Sequence, residues 1–241
     1  MSHRTQLAVP LLVAASLVCQ TSAVPFAQSE PDGAVVIRLI DASVQRRYQN
    51  VLAFTDVEHY QVFRGSDETR PVAEMTVKDT YKKGVGKSYE IQSQSGSALV
   101  QRFGLRPLID NEKTVNIPGN VEKSWFNSNN YEMSLRPGGV QRIDGRDCYM
   151  LGVTAKQKAS NTINGNIWVD AKNGSTVKID GVASKNPSTF AGATHMMRQY
   201  AEINGFPMAV HARAESSSSL FGRTVVTIDY SNYLLQVAPA N

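Results

Sequence analysis

The sequence predicts a mostly β chain: one large antiparallel sheet with an N-terminal amphipathic helix and a short second helix. Three observations predict it. The one long stretch with three-and-four apolar spacing lies near the start, before residue 51. From there on, short segments of alternating polarity recur, with Gly, Asn, Asp and Pro clusters between them. Successive strands are joined by short turns, which build an antiparallel meander, whereas a parallel sheet needs intervening helices.

The start of the chain reads as an export signal. His3 and Arg4 form a positive start, Leu7 to Val18 an apolar stretch too short to span a membrane, and "TSAVPFAQ" a small-residue exit. Removal of residues 1–27 leaves residues 28–241 as one domain, long enough to bury a sizeable core. Arg4 leaves with the signal, so the formal charge of +4 falls to +3, a mild basic bias rather than a nucleic-acid footprint. Cys19 follows Leu17 and Val18 and not the small residue that precedes a lipid-modified cysteine, so it is expected to leave with the signal. Cys148 then stands alone, a small buried hydrophobe inside "CYMLGV". No later stretch is long and apolar enough for a stable membrane span, and the protein is expected in the periplasm.

From Asp32 to Asn50, Val36, Ile37, Ile40, Val44 and Tyr48 mark one helix face, with Asp32 placed to cap its start. Arg106 to Val115 is a second, shorter helix, with Pro107 in its first turn and Leu108 and Ile109 as its apolar patch. Hairpins are expected at "YEMSL" and "VQRID" around "RPGG", and at "VQRI" and "DCYMLGV" around "DGR". Two more flank Lys172–Gly174 and "NGFP", and Ser216 to Ser219 reads as a loop tip.

"GVGKS" at residues 84–88 ends like a phosphate loop, but the position that must be glycine is Tyr81, and alternating strands enter and leave it. It reads as a lysine-rimmed hairpin turn, so no nucleotide is expected. His59, His195 and His211 fall on different strands without metal-ligand spacing, and the chain has no Gly-x-Ser-x-Gly elbow. Asp144 with Asp147, and Asp110 with Glu112, read as solvated carboxylates. No catalytic residue, metal site or cofactor is expected.

Several strands are apolar on both faces. Ile167 and Val169 oppose Trp168, while Cys148 and Met150 oppose Tyr149, Leu151 and Val153. Either these are central strands of a sandwich or carry scattered surface apolar residues, or the sheet is strongly curved, with its concave face covered by the first helix and an apolar cavity between.

"NVLAFTDVEHYQVF" after the helix, "GRDCYMLGV", "GNIWVDAKNGSTVKIDG" and the closing "FGRTVVTIDYSNY" together resemble the LolA/LolB-like outer-membrane lipoprotein-sorting proteins, over about Asp32 to Tyr233. The motifs are structural rather than catalytic, and residues 104–130 have no counterpart. The resemblance implies an unclosed antiparallel β-barrel, a half-barrel, wrapped around helices. The resemblance further implies that the apolar interior holds lipoprotein acyl chains crossing the periplasm, without cofactor, metal or ATP.

The expected function is therefore a carrier for lipoprotein acyl chains or another hydrophobic ligand. An envelope protein-interaction or sensor module on the same fold is the alternative, and an envelope hydrolase with a scattered site stands third. The expected cavity lining is Met75, Val77, Ile91, Ile167, Val169, Val177, Ile179, Val226 and Ile228 from the sheet, capped by Val36, Ile40, Val44 and Tyr48 of the helix.

Overall fold

The computed structural model describes residues 31–159, 161–185, 193–218 and 222–239. The export signal, its cleavage boundary and Cys19 lie outside the described residues. Helix α1 (Gly33–Asn50) begins as predicted, with the Asp32 carboxylate accepting the Ala34 amide at 2.9 Å. It buries Val36, Ile40 and Ser43.

The strands are β1 (Val51–Arg64), β2 (Ala73–Lys82), β3 (Gly86–Gly96), β4 (Tyr131–Leu135), β5 (Gln141–Ile143), β6 (Arg146–Ala155), β7 (Ile163–Asp170), β8 (Thr176–Ala183), β9 (His195–Ile203), β10 (Phe206–Ser218) and β11 (Gly222–Val237). They form one curved, unclosed antiparallel sheet in the order β3-β2-β1-β11-β10-β9-β8-β7-β6-β4. The last strand thus lies between β10 and the first, with Tyr60 opposite Ile228 and Phe54 opposite Leu235. Between the edge strands β3 and β4 the chain crosses the concave face through the short helix α2 (Ala98–Val100), a π-helical turn (Gln101–Leu105) and α3 (Arg106–Val115). The second predicted helix is α3, with the expected bounds.

Two turn assignments differ. "RPGG" does not close a hairpin: β4 and β5 lie end to end along the same edge of β6, with Leu135 opposite Leu151 and Gln141 opposite Cys148. The Arg136 amide keeps the chain on β6 through the Met150 carbonyl (2.9 Å), and its guanidinium fills the space a Cβ at Gly152 would take. The residues after it then step sideways instead of reversing. Ser216 and Ser217 belong to β10, paired with Thr224 and Arg223, so the serine tract is strand as far as it is described.

Two apolar layers cover the concave face. Beneath α1, Val36 and Ile40 pack on Tyr131, Leu151, Val153, Ile163, Ile167, Val169 and Ile179. Beneath the crossover, Val100, Leu105 and Ile109 pack on Tyr60, Val62, Ala73, Met75, Val77, Ala212 and Ile228. Burial of these side chains, at roughly 25 cal/mol per Å² of apolar surface, holds the helices to the sheet.

Candidate functional site

In β1, period-two alternation turns Phe54, Asp56, Glu58, Tyr60 and Val62 to the concave side, all buried. Two carboxylates thus enter an otherwise apolar row. Asp56 faces Asp79 of β2, and Asp79 faces Tyr89 of β3. Lys87, one row further along opposite Tyr81, points the same way. Its ammonium lies 2.8 Å from Asp79 Oδ2, 3.2 Å from Glu58 Oε1 and 3.1 Å from the Tyr89 hydroxyl. Tyr60 donates its hydroxyl to the other Glu58 oxygen. Neither Asp56 oxygen, nor Asp79 Oδ1, has a hydrogen-bond partner.

The lysine of "GVGKS" therefore does not rim the turn. Gly86 takes φ 112°, a conformation that favours glycine, and β3 starts in register with the inward Tyr81, so the next side chain enters the core. Lys83 takes the rim position, donating to the Gln49 carbonyl at 3.1 Å.

The electrostatics follow from burial. Desolvation pushes the Asp56 carboxyl up to about 8, with Glu58 and Asp79 adding to the rise and Lys87 opposing it. Glu58 and Asp79 are raised for the same first reason, again against Lys87. For Lys87 burial pulls downward, but Glu58, Tyr89 and Asp79 outweigh it and hold the ammonium charged.

Val36, Ile40, Ile167, Val169 and Ile179 of the expected lining come together under α1, with Val44 beside them. Met75, Val77 and Ile228 come together under the crossover, with Val226 beside them. Val177 is fully buried, while Ile91 is 39% exposed. Tyr48 lies on the Trp125 ring (4.6 Å between centroids) and donates to Glu122 at 3.1 Å. Two hollows, about 390 Å³ along Ala193, His195, Glu215, Ser216 and Ser217 and about 240 Å³ along Gln94–Gly96, Ala98, Gln101, Arg102 and Arg106, are lined by none of these residues. Alternation places the three histidines on the convex face, each beside its own carboxylate: His59 with Glu74 (4.0 Å), His195 with Asp180 (2.8 Å) and His211 with Asp229 (2.7 Å). Cys148 is buried, as expected.

Sequence reasoning passed over Asp56, Glu58, Asp79 and Lys87. The signal was parity: Asp56 and Glu58 alternate in step with Phe54, Tyr60 and Val62.

The crossover is fastened mainly by side chains. The Gln101 amide donates to the Glu74 and Ser95 carbonyls, both at 2.7 Å, and Arg106 reaches the Gln94 side chain at 3.2 Å. Glu112 stands 3.9 Å from Arg198 of β9. Among the described residues, the backbone–backbone hydrogen bonds of 98–126 reach outside the segment only to Ser97 and Asn127, its chain neighbours on either side, so no sheet ladder runs through it.

Fold and site together define an unclosed antiparallel half-barrel with a helical cover over its concave face. Solved structures similar to it include an outer membrane lipoprotein-sorting protein domain from Vibrio parahaemolyticus, at 12% identity and TM-score 0.48, covering 85% of this chain and 94% of that one. A LolA superfamily protein from Nitrosomonas europaea has 14% identity and TM-score 0.42, covering 87% and 96%. A DUF1329 family protein from Desulfovibrio piger has 16% identity and TM-score 0.42, covering 86% and 95%. The sequence matches no family profile and no curated protein.

Proposed function

We propose that the protein is a periplasmic carrier for a hydrophobic ligand, the acyl chains of a lipoprotein or of another lipid, with residues 28–241 acting as one mature domain. The ligand lies against Met75, Val77, Val226 and Ile228 after the crossover swings away, and the layer under α1, from Ile167 to Ile179, extends that surface. The observation that carries the reading is the fastening of the crossover. Val100, Leu105 and Ile109 close an apolar face, yet the segment can leave without breaking a sheet ladder. An acyl chain entering that space gains about 0.8 kcal/mol per buried methylene, enough to replace three apolar side chains without a polar anchor. The export signal supports a periplasmic address, and among the described residues no helix is long and apolar enough to cross a membrane.

The test is native mass spectrometry of protein purified without detergent, before and after mixing with acyl lipids. One lipid adduct per chain is expected. Gln101→Ala, which removes both anchoring hydrogen bonds, should take up lipid faster. A clean apo mass for both proteins overturns the carrier reading.

That outcome favours the second reading, an envelope protein-interaction or sensor module. Its support is that the protein's own side chains pack both halves of the concave face.

A further inference from the structure

The proposed lipid carriage assigns no role to the carboxylate cluster, and with all three carboxylates ionised its charges do not balance. Asp56, Glu58 and Asp79 are 2%, 1% and 0% exposed, and Lys87 alone opposes them within the cluster. With all three ionised, two uncompensated negative charges in a dry interior would cost several kcal/mol each, so the folded protein takes up positive charge there, as protons or as a cation. Glu58 and Asp79 are already engaged by Lys87, and Glu58 also by Tyr60. Asp56 supplies the separate observation: it is buried, no N–H or O–H group of another residue donates a hydrogen bond to either oxygen, and it faces Asp79, whose Oδ1 also has none, so the pair must share a proton or a cation. Like charges directly opposite on neighbouring strands repel unless something sits between them.

One oxygen from each of Asp56, Glu58 and Asp79 lies within 4.8 Å of the others. Oxygens bound to a single Ca²⁺ at about 2.4 Å stand at most about 4.8 Å apart, so the three can share one ion, and Ca²⁺ accepts an irregular oxygen shell where Mg²⁺ demands near-octahedral geometry and keeps several waters. Zn²⁺ prefers nitrogen and sulfur, which this set does not offer. A divalent ion together with Lys87 brings three positive charges to three carboxylates.

We propose that Asp56, Glu58 and Asp79 form a binding site for one divalent, oxygen-preferring cation, with Ca²⁺ the best fit. The ion turns a repulsive pair between β1 and β2 into a clamp, beside the layer on which the crossover rests. Because the site is buried, the ion enters while the chain folds or when the crossover lifts, and it leaves slowly.

The test uses protein unfolded in chelator, refolded and dialysed free of metal. Ca²⁺ and, in parallel, Mg²⁺ are titrated by calorimetry, and thermal unfolding is followed with and without each ion. One Ca²⁺ per chain is expected, with a raised Tm, and Mg²⁺ should bind at least about tenfold more weakly. Asp56→Asn and, independently, Asp79→Asn should each lower Ca²⁺ affinity about tenfold or more, and Asp56→Asn should melt above the wild type in chelator. Failure to bind Ca²⁺ at millimolar concentration overturns the proposal, because protons then balance the cluster. Binding that survives both substitutions also overturns it, because the ion then sits elsewhere. Neither result bears on the lipid adduct, which is read separately.

Discussion

Replacing Lys87 by Met keeps most of the side chain's volume and removes the single positive charge that faces Glu58 and Asp79. With an effective dielectric near 20, contacts of 2.8 and 3.2 Å contribute roughly 5–6 kcal/mol each before desolvation is subtracted. The ammonium's own desolvation, which Met avoids, offsets several kcal/mol of that sum. A net loss of about 3–5 kcal/mol at pH 8 is expected, the range found when one partner of a buried pair is removed. The sign of the pH dependence follows from the carboxylates. The unfolded chain ionises them near pH 4, while the folded protein holds Asp56, Glu58 and Asp79 above that, Asp56 up to about 8. Their contribution is therefore fully present below pH 4 and is lost as pH rises towards the folded values. Lys87 opposes that rise in all three, so its removal steepens the loss, and the gap between wild type and Lys87→Met should widen from pH 5 to pH 8. Urea unfolding in chelator at several pH values measures it. A variant as stable as wild type at pH 8, or a gap that narrows as pH rises, would refute the reasoning.

Gly174 carries φ +69°, and a Cβ there would run into the Leu39 carbonyl and lie 2.7 Å from the Ile40 nitrogen, so Gly174→Ala should cost about 2–4 kcal/mol by urea unfolding. Leu105→Ala, which empties a 1%-exposed site under the crossover, should speed hydrogen exchange across residues 98–115 while leaving β6–β8 protected, since its cost of about 2–5 kcal/mol falls on a segment outside the sheet ladders.

Local signals made the elements legible. Asp32 and the spacing of Val36, Ile40 and Val44 mark α1, and the turns at Asn173-Gly174 and Asn204-Gly205 mark two hairpins. Features that depend on distant pairing were hidden. Nothing near Thr224–Tyr233 announces that it will pair with β1 rather than end a meander, because alternation fixes a strand's faces and not its neighbour. The "RPGG" turn was misread because two glycines mark a change of direction without saying whether the chain reverses or sidesteps, and the deciding contact is Arg136 on Gly152, sixteen residues away. Lys87 was hidden because a lysine beside a turn is ordinarily solvated, and only the register with Tyr81 sends it inward. The apolar lining was legible as burial, but α1 and the crossover that fill the space above it arrive from other parts of the chain.

The pairing of the first strand with the last has a kinetic consequence. β1 leaves one edge unpaired until β11, some 160 residues later, is available, and closing a loop of that length is slow. During synthesis the N-terminal hairpins emerge first, with Asp56 and Glu58 still reachable by water and by ions. The interior is sealed only when the end of the chain arrives, so the order in which the chain is made sets when the buried charges must find their partners.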